Sequence, residues 1–189
     1  MSSKNSIREE ELIDGCLKGN RKSQRQLYEC YSGSFLSLCM RYVKDMDLAQ
    51  DVLLEGFMKI FDNLSQYKKE GSFEGWMKRV MVTQALQTLR KNKKLAMEVN
   101  LEDPESEFTA AADMNVLEVE ELLQLVAALP VGYRTVFNLF AIEGYSHREI
   151  CEMLDISENT SKSQLSRARA ILQQKLNTTS TKTVKKNGR

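Results

Sequence analysis

The chain has 189 residues, with 27 Lys and Arg against 26 Asp and Glu and a formal net charge of +1. That length holds one large domain or two small ones. No apolar run approaches the roughly 18 residues that span a membrane, and the opening MSSKNSIREEEL lacks the apolar core of a signal peptide. Membrane insertion is therefore not expected, and a cytoplasmic location is.

Two prolines, nine glycines and few alternating β-branched runs point to helices throughout. Cys16, Cys30, Cys39 and Cys151 never form a C-x-x-C pair, and His147 is the only histidine. A Cys/His metal site has little to build on, so no metal or other cofactor is expected. The cysteines read as reduced, half-buried helix residues. The small net charge conceals a strong pattern. Residues 66–94 carry eight bases and two acids, residues 95–121 carry nine acids and no base, and residues 122–189 carry ten bases and five acids. Two basic blocks around an acidic bridge suggest two surfaces for a polyanion, although each block alone also reads as a solvated helix face.

In chain order, Ser6 and Glu9 form a capping box opening a first helix with Leu12, Ile13, Cys16 and Leu17 on one side. Gly19-Asn20 ends it. Leu27, Tyr31, Phe35, Leu38 and Tyr42 recur at helical spacing in a second helix. Asp47 caps a third, which carries Leu53, Phe57, Ile60, Phe61 and Leu64. A polar loop at 65–71 leads to a fourth helix opened by Ser72, with Phe73, Trp76, Val80 and Leu89 inward. This first domain ends near Lys94.

Residues 95–114, with Pro104 and no stable period, read as a flexible acidic linker. A helix from about Asn115 turns Val116, Val119, Leu122, Leu123 and Val126 inward. Pro130 starts the next helix, containing Val136, Phe137 and Phe140, and Gly144 closes it. In YSHREICEMLDISENTSKSQLSRAR, Ser146 and Glu149 form a capping box, and Ile150, Cys151 and Leu154 form an apolar face. Asp155-Ile156-Ser157 makes a tight connection, and Ser157 caps a helix running to about Leu176, with Ile156 and Leu165 in the core. Two helices joined this closely, the second basic, are the pattern of a DNA-reading helix-turn-helix. A helical hairpin with solvated charges is the alternative. Residues 177–189 read as a disordered basic tail. The expected fold is all-α: two small helical domains, 1–94 and 115–176, joined by the linker, with the helix-turn-helix in the second.

Two stretches of the chain carry a family resemblance. LPVGYRTVFNLFAIEGYSHREICEMLDISENTSKSQLSRAR resembles the promoter-reading domain of bacterial RNA polymerase sigma factors, and AQDVLLEGFMKIFDNLSQYKKEGSFEGWMKRVMV resembles their core-binding and promoter-opening domain. Two such domains and a short linker look like the extracytoplasmic-function (ECF) group. The resemblance covers nearly everything from Glu10 to Leu176.

The resemblance implies a specificity subunit of RNA polymerase with no active site of its own, partnered by core polymerase, promoter DNA and an anti-sigma factor. Asp51 and Glu55, four apart on one helix face, fall where the family docks on polymerase. Tyr67, Lys68 and Lys69 fall where the family captures an unpaired base of the minus-ten element, with Lys78, Arg79, Thr83, Arg90 and Lys91 nearby for the DNA. Glu158, Asn159, Lys162 and Ser163 take the base-reading positions at the minus-thirty-five element. Arg148, Gln164, Arg167 and Arg169 take phosphate positions.

The chain also departs from the family pattern. Leu54 stands for a usual glutamine, Thr83 and Gln87 for an asparagine and an aspartate, Ser161 for an apolar residue and Gln164 for an arginine. Leu54 leaves open a second reading, a DNA-binding regulator that dimerises through its N-terminal bundle and never joins polymerase. An enzyme finds no support: consecutive glutamates such as Glu9-Glu10-Glu11 point around a helix, and no phosphate loop or catalytic set is present.

Overall fold

The computed structural model describes residues 2–98 and 119–186, with the side chains of residues 9–92 and 122–176. Among them there are eight α-helices and no strand, divided between two compact units, 1–98 and 99–189.

In the N-terminal unit α1 (Ser2–Leu17) and α2 (Arg21–Val43) meet at Gly19, whose φ of 70° turns the chain. The Asn20 side chain then caps α2, accepting from the amides of Lys22 at 2.9 Å and Ser23 at 3.3 Å. Because α1 begins at Ser2, Ser6 lies inside it and cannot open it as a cap. Helix α3 (Met46–Asp62) is capped by Asp45, whose carboxylate accepts from the Leu48 amide at 2.8 Å. Asp47, the expected cap, instead sits in the first turn. The sequence offers both aspartates, and the backbone of Asp45 is the one left extended.

A short 3-10 turn (Leu64–Gln66) leads through a loop to α4 (Phe73–Glu98), where the Ser72 hydroxyl accepts from the Gly75 amide at 3.1 Å. Helices α2, α3 and α4 pack against one another, and α1 packs on α2. Leu27, Phe35, Leu38, Tyr42, Ile60, Leu64, Phe73, Met77 and Met81 are fully buried between them. Each large apolar side chain so buried contributes about 1.5–3 kcal/mol. On α4 the inward face is Phe73, Met77, Met81, Val82, Ala85 and Leu86; the expected Trp76, Val80 and Leu89 are only half-buried. A side chain on Gly56 of α3 would begin 2.3 Å from the Met81 sulfur, so the glycine admits the close approach of α4.

In the C-terminal unit α5 (Val119–Ala127) and α6 (Val131–Phe137) join through Pro130. A π-helical turn (Asn138–Ile142) extends α6, and Gly144 at φ 81° ends it. Helix α7 (His147–Leu154) carries the expected Ser146/Glu149 capping box. Asp155, left-handed at φ 56°, closes it, as short polar side chains tolerate. Helix α8 (Glu158–Lys186) opens with the Ser157 hydroxyl accepting from the Thr160 amide at 3.1 Å.

Helix α8 continues ten residues beyond Leu176, through most of the segment read as a disordered tail. No glycine or proline interrupts it before Gly188. It packs against α5, α6 and α7. Val126, Leu129, Ala168 and Leu172 form a core there, flanked by Leu125, Tyr133, Phe137 and Ile171. Leu122 and Leu123, expected inward, are 43% and 42% exposed. Val116 and linker residues 99–114 lie outside the described residues.

Candidate nucleic-acid interface

The second unit holds two helices, α7 and α8, joined by three residues. At roughly 100° per residue, the buried side of α8 is Ser161, Leu165, Ala168 and Leu172. The opposite side presents Asn159, Ser163, Ser166 and Ala170, all exposed. These are small or short polar groups, suited to close approach to base edges. Cations flank this strip on both edges. Lys162 and Arg169 lie on the edge toward α7 and the π-turn, where the Arg169 guanidinium sits 5.6 Å from the Phe140 ring centroid. Arg167 lies on the other edge and donates to the Tyr133 hydroxyl of α6 at 3.4 Å.

The expected residues are thus sorted by the fold. Glu158 and Lys162 form an ion pair at 2.8 Å, which holds the Glu158 carboxyl below its usual range. Gln164 is half-buried and lies 3.6 Å from where a side chain on Gly132 would begin. Arg148 stands on α7, exposed and 3.7 Å from Glu152. Ser161, the departure from an apolar residue, is wholly buried with its hydroxyl 2.9 Å from His147 Nδ1. Nothing along the chain links Ser161 to His147, fourteen residues apart. The available signal was a polar residue at an inward position of α8 in a chain with one histidine.

In the first unit, Trp76, Arg79, Thr83, Gln87 and Arg90 fall within roughly 80° of one another on α4, opposite its buried face. Arg79, Thr83, Gln87 and Arg90 are exposed. Lys78 lies off this line, 2.9 Å from Glu74, and Lys91 is displaced from it by about one residue's turn. The Thr83 hydroxyl donates to the Arg79 carbonyl at 2.8 Å, and Gln87 accepts from Lys59 of α3 at 2.7 Å.

At the start of α4 the loop is shaped by its own aromatic cluster. Tyr67 packs against Phe73 and Trp76, at 5.1 and 5.6 Å between centroids, and its hydroxyl donates to the Gly71 carbonyl at 2.9 Å. Tyr67 is therefore a strut of the loop, half-buried, with much of its ring already in contact. Lys69 is left-handed at φ 59° and paired with Glu10 of α1 at 3.1 Å, a hydrogen bond that raises its pKa. Lys68 is exposed.

On α3, Asp47, Asp51, Leu54, Glu55, Met58 and Asp62 share one exposed face. Leu54 is 52% and Met58 65% exposed, which gives an acidic strip an apolar centre. Asp51 and Glu55 share this face, and Glu55 also accepts a hydrogen bond from the buried Gln84 of α4. No cluster of three or more potential metal ligands occurs among the described residues.

The described residues thus form two helical units, the first with an exposed basic line on α4 and the second with a closely joined helix pair whose second helix carries a cation-edged strip. Residues 27–95 match the family model Sigma-70 region 2, and residues 119–172 match Sigma-70, region 4. The chain belongs to the sigma-70 family of RNA polymerase sigma factors, and within it to the ECF type. It is 25% identical over 182 residues to the ECF RNA polymerase sigma-E factor of Haemophilus influenzae, covering 90% of this chain and 96% of that protein. The Bacillus subtilis RNA polymerase sigma factor SigV is 26% identical over 155 residues, covering 80% and 92%.

Among solved structures, the fold is similar to the sigma factor RpoE in complex with the anti-sigma factor NepR from Bartonella quintana. The TM-score is 0.56 at 18% identity, covering 81% of this chain and 96% of that one. CnrH in complex with the cytosolic domain of CnrY gives a TM-score of 0.51 at 19% identity, covering 88% and 96%. The protein acts in transcription initiation as a promoter-recognition factor. No helix among the described residues is long and apolar enough to cross a membrane.

Proposed function

We propose that the protein is a dissociable specificity subunit without an active site of its own, working in the cytoplasm. It joins core polymerase through the Asp51/Glu55 face of α3, with residues 1–94 handling the minus-ten element and 115–176 the minus-thirty-five element. Segment 95–114 connects them. The observation that carries this reading is the exposed α8 strip edged by Lys162 and Arg169 on one side and Arg167 on the other. A helix seated in the major groove needs short readers in the middle and cations at both phosphate walls.

Asn159 and Ser163 are the central readers in this scheme, with Glu158 and Lys162 beside them. Arg167 and Arg169 hold opposite walls, while Arg148 supports the backbone from α7. Gln164 acts through its packing beside α6. On the first unit, Arg79, Thr83 and Arg90 follow the opened strand along α4, with Lys91 beside that line. The loop of Lys68 and Lys69, propped by Tyr67, faces the extruded base; Lys78 is a peripheral cation. An anti-sigma protein is the natural inhibitory partner, since the similar solved structure of RpoE is a complex with the anti-sigma factor NepR.

The test is transcription by bacterial core polymerase on a promoter library, with start sites mapped. New starts appear only with the protein and vanish when Asp51 and Glu55 are both changed to Lys. Absence of new starts alongside salt-sensitive duplex binding supports the separate regulator instead. Leu54 is the observation behind that second reading, because it places an apolar group in the middle of the docking face.

A further inference from the structure

On α3, Glu55 and Lys59 stand four residues apart, the glutamate first. Two such side chains reach each other on a helix surface, and this order is the favoured one for an ion pair. The structure engages them separately instead. Gln84 of α4 donates its Nε2 to Glu55 Oε2. Lys59 Nζ donates to the Oε1 of Gln87, three residues further along α4, at 2.7 Å. Each member of a latent Glu–Lys pair is thus held by one glutamine of the neighbouring helix.

Packing alone does not account for Gln84. It is 1% exposed, in a run where Met81, Val82, Ala85 and Leu86 are buried as well. An amide in that setting is costly unless it is hydrogen-bonded, and its Oε1 has no donor. An apolar side chain of similar length would fill the space without that cost. What the amide supplies is a directed donor. A carboxylate only accepts, so the nitrogen is the atom that must face Glu55. Gln87, which stands where the family pattern has an aspartate, gives Lys59 an acceptor with no opposing charge. Both glutamines are neutral, so they fix the two side chains without cancelling either charge. Glu55 remains exposed on the face it shares with Asp51.

We propose that Gln84 is a positioning residue for polymerase docking, with Gln87 as its counterpart: together they keep Glu55 off Lys59, so that its full charge meets a cationic surface of core polymerase. The proposal rests on the reading of the Asp51/Glu55 face as the docking surface. Gln84 is buried and acts only through Glu55. Without its amide, Glu55 turns to Lys59, and docking must first break that ion pair.

The experiment measures the affinity of the full-length chain for bacterial core polymerase, by competition with a labelled wild-type chain. Gln84→Met, Lys59→Gln and the two changes combined are compared with wild type as a double-mutant cycle. Gln84→Met weakens binding roughly two- to fivefold, the strength of an exposed ion pair that now competes for Glu55. Lys59→Gln alone leaves the affinity unchanged, because Gln84 already holds Glu55. The combined variant returns to the wild-type affinity, since no cation is left there to capture the carboxylate. That restoration separates aiming from a structural role, because removing a lysine does not repair a loosened bundle.

An unchanged affinity in Gln84→Met, or a loss that Lys59→Gln does not restore, overturns the positioning role. The docking face itself then still stands if Glu55→Lys abolishes binding. Wild-type binding that survives Glu55→Lys overturns the docking reading and the proposal together, as does a wild-type chain that never binds core polymerase. Should Gln84→Met lose cooperative unfolding in urea, Gln84→Asn takes its place. Its amide falls one methylene short of Glu55, and the same loss and the same restoration are expected.

Discussion

Arg134 is buried in the C-terminal unit, 5% exposed, and burial lowers its pKa. It donates to the carbonyls of Leu129 at 3.2 Å and Ala127 at 3.4 Å, at the end of α5. A guanidinium there satisfies carbonyls that have no partner within the helix and meets the negative end of its dipole. Charge-assisted bonds of this kind are worth about 1.5–3 kcal/mol each. Arg134→Met should therefore destabilise the protein by at least about 1.5 kcal/mol, measured by urea denaturation. A change within error would show that water replaces the guanidinium without loss. Nothing along the chain marks this role, because arginine next to an apolar run looks the same whether it points inward or outward. The cysteines divide at the same scale. Burial pushes the Cys39 thiol up to about 12, and Cys16 is raised for the same reason, whereas Cys30 is exposed. Since the thiolate is the reactive form, a thiol reagent at mildly alkaline pH should label Cys30 quickly and leave Cys39 protected until the protein unfolds. Fast labelling of Cys39 in the native state would contradict its burial.

Helix ends show how far local chemistry can be read. Three caps were legible in advance, at Ser72, Ser146 and Ser157, since each is a serine beside a loop with an apolar face following it. The cap of α3 was not, because Asp45 and Asp47 both satisfy the local rule. Asp45 accepts from the Leu48 amide, while Asp47 only enriches the first turn with charge. Asp45→Ala should cost about 1 kcal/mol, and Asp47→Ala a few tenths at most. Thermal melts of the two variants check the order, and a larger loss for Asp47→Ala would move the cap. Helix faces were harder than helix ends. On α4 the expected Phe73 is buried, but Met77, Met81 and Ala85 fill the rest of the inward face in place of Trp76, Val80 and Leu89. Met81 packs where Gly56 leaves room on α3, a fit between two helices that neither helix states alone.

At the scale of the whole molecule, each unit has its own set of buried side chains. In the first these run from Ile13 to Leu86, and in the second from Val126 to Leu172. A fragment spanning residues 1–98 should therefore unfold cooperatively with a helical circular dichroism spectrum. A non-cooperative or largely unfolded fragment would mean that the second unit contributes to the first unit's stability. The charge pattern belongs to this scale as well. The basic segment of 66–94 contains the exposed line of α4, and the basic C-terminal segment contains the edges of α8, so charge summed along the chain and the exposed cations of each unit fall in the same segments.

The sequence by itself determined the all-α class, the helix-turn-helix with its caps and the family to which the chain belongs. Those follow from periodicity, local hydrogen bonding and motif order, all short-range along the chain. Only the tertiary structure decided which cations flank the α8 strip on each side. It alone showed that Tyr67 props the loop with its own ring and that Leu54 and Met58 stand in the middle of an acidic face. It also paired Ser161 with His147, fourteen residues apart on different helices. Such contacts depend on how helices rotate and lean on one another, and that is set by the sum of many packing contacts rather than by any one stretch of chain.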